Sequence, residues 1–116
     1  MSAGVPGGLG TDTGWPFVTH YDMWRELHYF CKFCDVTPVF ALSTATKGNA
    51  KITGLGDKLG TIEAGKCADM IVTCRNPLEG LDAIRQLDMV IIRGQRIDVL
   101  KVKKIKQVER ALDRFL

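Results

Sequence analysis

A chain of 116 residues, 46% apolar and 25% charged, has the composition of one small globular domain, which excludes a disordered or fibrous segment. The same length excludes a complete (β/α)8 barrel, which takes about 250 residues. The net charge of +3 is modest, and the lysines that carry much of it (Lys101, Lys103, Lys104, Lys106) lack interleaved aromatics, so a solvated helix face is expected and no nucleic-acid partner.

In chain order, Ala3 to Thr11 is a short strand candidate broken by Pro6, Gly7 and Gly8. Gly8 to Gly14 reads Gly-Leu-Gly-Thr-Asp-Thr-Gly and puts Asp12 where a strand gives way to a Gly-rich loop. Parallel α/β proteins build active sites at the carboxyl ends of strands, so this carboxylate is a candidate acid or base. Read alone, such a loop is more often a turn closed by an Asx-type hydrogen bond. Asp22 stands at the cap of a helix from Met23 to Cys34, whose apolar positions Met23, Trp24, Leu27, Phe30, Cys31 and Cys34 recur at helical spacing. Asp35 to Thr37 interrupts that pattern. Thr37 then caps a second helix with Pro38 at its first position, running to about Asn49 with a further turn through Ile52.

Gly54, Gly56, Gly60 and Gly65 mark a change to turns. Two β segments follow, Ala68 to Thr73 and Met89 to Arg93, with Leu78 to Leu87 between them as a loop carrying a helical turn. Gly94-Gln95 is a turn candidate, and Arg96 to Leu100 is the return strand of a hairpin. The chain ends in a basic amphipathic helix, Lys103 to Leu116, with Ile105, Val108, Ala111, Leu112, Phe115 and Leu116 on one side. The order is odd for an independent domain, because the first strand asks for parallel neighbours that the chain does not supply.

Four cysteines are present. Cys31-Lys32-Phe33-Cys34 has the spacing of a metal knuckle or redox pair, but residues three apart also share a helix face by geometry alone. Cys67 and Cys74 fit no zinc-ribbon spacing. Packing thiols are the expected reading, with a small cysteine-based metal module as the weaker alternative. The only histidines are His20 and His28, and His28 falls mid-helix as a structural residue. Trp15 and Trp24 are expected to pack, and Asp69 to contact backbone. No stretch approaches the ~20 apolar residues of a membrane span, and no basic and apolar leader opens the chain, so a cytoplasmic protein is expected.

Three blocks in register carry a resemblance. The first is Gly10-Thr11-Asp12-Thr13-Gly14-Trp15-Pro16, with His20 beyond it. The second is Thr37-Pro38 with Ala41-Leu42 and Ala45-Thr46-Lys47-Gly48-Asn49-Ala50. The third runs from Leu59 to Val72 as Leu-Gly-Thr-Ile-Glu-Ala-Gly-Lys-Cys-Ala-Asp-Met-Ile-Val, followed by Asn76-Pro77-Leu78. Together, from about Gly4 to Ile97, the chain resembles the metal-dependent amidohydrolases, most closely the branch of imidazolonepropionases and prolidase-like Xaa-Pro dipeptidases.

The resemblance implies an α/β fold: the last strand and helices of a (β/α)8 barrel over 1–53, the C-terminal part of a small β-sandwich over 54–100, and a basic terminal helix over 101–116. It implies hydrolysis of C–N bonds in a cyclic amide, an imidazolone-like ring or an Xaa-Pro dipeptide, with a divalent metal, commonly zinc. Asp12 matches the family aspartate beside that metal, which shuttles a proton from bound water to the leaving nitrogen. His20 matches a histidine near the substrate. Tyr21 stands where glycine is usual, and Asp35-Val36 replaces a glycine-led turn. The family's other metal ligands, a His-x-His pair, later histidines and often a carboxylated lysine, have no match here. The isolated chain is therefore expected to be inactive and to bind no zinc tightly. Its expected partners are an upstream barrel half or a second copy, with a small-molecule substrate only in full-length relatives. The alternative is a truncated or split product that serves as a structural or interaction module without catalysis.

Overall fold

Helix α1 spans Met23–Cys34 and buries Trp24, Leu27 and Phe30 of the expected apolar stripe together with Arg25, while Met23 and Cys34 at its two ends are exposed. The computed structural model describes residues 4–14, 18–98 and 102–116. Asp22 occupies the cap position, but its carboxylate makes no cap bond. It instead accepts from Thr19, Trp24 and Arg25. Asp35 ends the helix in the left-handed region at φ 51°, a conformation that aspartate tolerates.

Helix α2 spans Pro38–Ser43. Thr37 caps it as expected, with extended backbone and a hydroxyl that accepts from the Phe40 N–H at 3.2 Å. The helix then widens into a π turn, Thr44–Gly48, and resumes as α3, Asn49–Ile52. Threonine hydroxyls accompany the widening. Thr44 Oγ1 donates to Phe40 O at 2.9 Å and Thr46 Oγ1 to Leu42 O at 2.8 Å, so both carbonyls are shared with side chains.

Three antiparallel strands follow in the order β1-β2-β3: Met70–Thr73, Leu87–Ile92 and Gln95–Ile97. A 3₁₀ turn, Leu81–Arg85, lies between β1 and β2. The hairpin loop is Arg93-Gly94, one residue earlier than expected, because Gln95 pairs with Ile92. Both loop residues have positive φ, 51° and 77°, as a two-residue type I′ turn requires. Asp69 contacts backbone as expected: its Oδ1 accepts from the Arg93 N–H at 2.7 Å.

The core is small. Leu27, Phe30, Ala41 and Leu81 form it, with Leu9, Val36, Leu42, Ala45 and Ile84 packed around them. It lies between α1, α2 and the 3₁₀ turn, and no strand residue is fully buried. Helix α4 spans Lys106–Leu112 and ends in a 3₁₀ turn, Asp113–Phe115. No helix among the described residues is long and apolar enough to cross a membrane.

Three expectations are corrected. Residues 4–11 carry no strand, and Ala3 lies outside the described residues. Pro6 offers no backbone donor, the glycines favour no extended state, and no neighbouring strand lies alongside among the described residues. The return strand ends at Ile97, and Val99 and Leu100 lie outside the described residues. The terminal helix begins at Lys106, not Lys103, and its apolar side is only partly covered: Val108 and Leu112 are half-buried, whereas Ile105 is 57% and Phe115 66% exposed. Its acidic residues help to seat it.

Candidate active site

The segment that leads to Asp12 is fixed from outside itself. The Asn49 side chain, 40 residues away, accepts the Leu9 N–H at 2.9 Å and donates to the Leu9 carbonyl at 2.8 Å. Asp12 follows on an exposed loop with φ 50°. Its neighbours Thr11 and Thr13 join their hydroxyls at 2.6 Å. Aspartate tolerates this conformation, which Asp35 also adopts. Trp15 and Pro16 of the same motif lie outside the described residues.

His20 is also exposed, and no hydrogen bond joins it to Asp12 among the described residues. Its ring meets Tyr21 edge-on, with centroids 5.1 Å apart. Tyr21 has a use that glycine could not supply. Its hydroxyl accepts the Ile105 N–H at 3.1 Å, and Lys104 lies over its ring, so the loop that bears His20 also receives the C-terminal segment.

That segment is held by a charge cluster that the sequence reading missed. Arg25, 4% exposed on α1, donates through Nη2 to Asp113 at 2.7 Å and through Nε to Asp22 at 3.3 Å. Arg85 reaches Asp113 at 3.2 Å, and both guanidinium groups lie 3.6 Å from Glu109. The same two groups lie against the Trp24 ring, 4.7 and 4.5 Å from its centroid. Three carboxylates thus face two guanidinium groups. Burial pushes the Glu109 carboxyl up, and the neighbouring Asp22 carboxylate adds to the rise. Burial opposes ionisation of Asp22 and Asp113 too. The Thr19 bond, the neighbouring Glu109 carboxyl and the Trp24 bond nonetheless carry Asp22 below its ordinary value, and bonds from Arg25 and Arg85 do the same for Asp113. The signal was present in the sequence: Glu109 and Asp113 are four apart on one helix face, and Arg25 interrupts the apolar stripe of α1.

The described side chains do not make up a complete metal site by themselves. No group of three or more His, Cys, Asp or Glu side chains able to hold a metal occurs among the described residues. No step through a metal is therefore assigned to this chain's residues. All four cysteines are free. Cys31 is half-buried against the core, where burial pushes its thiol up, but Cys34, Cys67 and Cys74 are exposed, so the expectation of packing thiols holds for Cys31 alone. His28 is half-buried mid-helix, its ring edge-on to Trp24.

Away from Asp12, the loop of residues 60–69 and the strands β1 and β2 border an open groove of about 680 Å³. Its lining is mostly apolar and includes Ile62, Met70, Ile71 and Ile92. The loop is anchored where a side chain would not fit. A Cβ on Gly60, which has φ +91°, would stand 2.6 Å from Ala50 Cβ and 2.9 Å from Thr46 O.

Comparison with known proteins gives this arrangement a family. The amidohydrolase family profile matches residues 1–97. The imidazolonepropionase of Thermoplasma acidophilum is 30% identical over 100 residues, which is 86% of this chain and 24% of that protein. A Bifidobacterium longum structure, provisionally described as a prolidase, superposes with a TM-score of 0.90 at 37% identity over 92% of this chain and 26% of its own. A Xaa-Pro dipeptidase with methionine bound in its active site gives a TM-score of 0.62 at 34% identity, over 66% of this chain and 19% of its own. The chain thus spans about a quarter or less of the length of these relatives. The match covers both the Asp12 loop and the three-stranded sheet, and the chain belongs to the amidohydrolase family.

Proposed function

We propose that this chain is the C-terminal portion of a metal-dependent amidohydrolase and supplies its acid–base aspartate, Asp12. One observation carries the reading: inside the family match, an exposed carboxylate sits at positive φ on a Gly-rich loop, three residues after a segment pinned from α3. In that role Asp12 accepts the proton of the attacking water and delivers it to the leaving nitrogen of a C–N bond. His20 lines the substrate side of the same loop. When bound, the metal, which we take as zinc, supplies a water that ionises near neutral pH. Its remaining ligands come from outside the described residues. The names of the relatives support cyclic amides, imidazolone-like rings or Xaa-Pro dipeptides as substrates. We assign 1–53 to the last strand position and helices of the barrel, 54–100 to the β-sandwich, and 101–116 to a basic terminal segment.

The isolated chain is inactive on this reading, and the rest of the barrel, or a second copy, covers its apolar groove. That groove, with Ile62 and Ile71 exposed, also favours a second reading as an interaction module without catalysis. Co-expression with the part of the Bifidobacterium longum protein outside the match separates the two. The complex is expected to hydrolyse an Xaa-Pro dipeptide or an imidazolone, with Asp12→Asn lowering kcat by about 10²-fold or more. A complex that forms but turns over neither substrate leaves the module reading. Full activity in Asp12→Asn removes the role given to Asp12.

A further inference from the structure

We propose that Asn49 is the positioning residue of the Asp12 loop, its carboxamide standing in for a neighbouring strand at Leu9. The assignment rests on reading Asp12 as the acid–base group, but it is tested without turnover. A carboxamide carries the same donor and acceptor as a peptide unit. Asn49 uses both on one residue: it accepts from Leu9 N at 2.9 Å and donates to Leu9 O at 2.8 Å, as a paired strand would. Among the described residues, these are the only side-chain hydrogen bonds that join 4–14 to the rest of the molecule.

The surroundings fit this clamp. A Cβ on Gly8 would lie 2.8 Å from Asn49 Oδ1 and 3.3 Å from Ile52 Cδ1, so the carboxamide reaches Leu9 only over a glycine. Asn49 is the first residue after the π turn. A π turn inserts one residue and so rotates later side chains by about 100° relative to those before it. Beyond Leu9, only Gly10 and Thr11 precede Asp12, so the clamp is the last fixed point before the carboxylate. A residue that held Leu9 merely to fill space would need neither both bonds nor a bare Gly8.

The test is NMR on the full 116-residue chain. Asn49→Asp keeps the size and one acceptor, but turns the donor that faces Leu9 O into a second acceptor. Leu9 amide exchange is expected to quicken about tenfold or more, the scale of a lost hydrogen-bond pair. The Cα and Cβ shifts of Asp12 should move from left-handed toward averaged values, while amide exchange in α1 and β2 stays unchanged. Gly8→Ala pushes on the clamp from its other side and should give the same signature; it decides the matter if Asn49→Asp does not fold. Faster exchange at Leu9 with the Asp12 shifts unmoved would overturn the proposal. So would an equal loss of protection across α1 and β2 in both variants, which marks plain destabilisation. Asp12→Asn should leave Leu9 exchange untouched, so the clamp is judged separately from the chemistry of Asp12.

Discussion

The two ends of the described chain are tied to the helical core by opposite means. The side-chain hydrogen bonds that join residues 4–14 come from one neutral carboxamide, whereas the C-terminal segment is joined chiefly by two guanidinium groups to Glu109 and Asp113. A neutral amide pair is directional and indifferent to pH. A partly buried charge cluster responds to pH and suffers severely when a buried member loses its partner. The end that bears Asp12 has the directional tie, and the end that only needs to be seated has the ionic one.

The largest break in this comparison should come from Arg25→Met. It leaves the buried Asp22 without its ionic partner, which costs about 3 kcal/mol, while the exposed Asp113 keeps Arg85. Urea melts should register the loss, and amide exchange should show 106–115 released first. A loss under about 1 kcal/mol would mean that the cluster is a set of ordinary surface pairs. Next comes the loop against the π turn. Gly60→Ala adds a methyl at φ +91° into Ala50 and Thr46, and should cost about 1–3 kcal/mol in thermal melts. An unchanged Tm would show that the loop is free to move off the helix.

The pH dependence sharpens the comparison further. Asp22 and Asp113 ionise more easily folded than unfolded, so their contribution is complete above the unfolded value near about pH 4 and fades as pH falls through their folded values. Glu109 runs the other way. Its raised folded pKa makes its contribution complete below its unfolded value and lost as pH rises through the folded one. Glu109→Gln should therefore flatten the decline in stability on the alkaline side of that window. A pH–stability curve identical to that of the parent chain would show that Glu109 keeps no proton. Protection at Leu9 should follow neither trend. The smallest expected effect is that of Thr37→Ala, about 1 kcal/mol for a lost helix cap; no change in melting would remove Thr37 from the account.

What the sequence made legible was local. Helical spacing placed α1 at its observed limits, and Thr37-Pro38 fixed the start of α2. The hairpin turn came out one residue off, because Arg93-Gly94 and Gly94-Gln95 are both plausible turn pairs and only cross-strand register chooses between them. The strand expected over Ala3 to Thr11 could not be judged locally, since a strand exists only with a partner. Asn49 was noticed within a motif, but its bond to a residue 40 positions away has no periodic trace. The terminal helix misled for a different reason. Its apolar positions suggested a buried side, and the buried arginine that claims Glu109 and Asp113 lies on α1. Asp12 stands out by its place in a Gly-rich loop and takes its role from the family motif, whereas His20 is found by the motif alone.

The central claim is that this chain carries a prepared aspartate in a site completed from elsewhere. Its most direct test is the zinc content of the purified chain, alone and in complex with the barrel portion of a relative, by elemental analysis. The account predicts no stoichiometric zinc on the isolated chain, with or without Cys31→Ala and Cys34→Ala, and stoichiometric zinc in the complex that weakens with Asp12→Ala. One tightly bound zinc on the isolated chain, lost in Asp12→Ala, would contradict it.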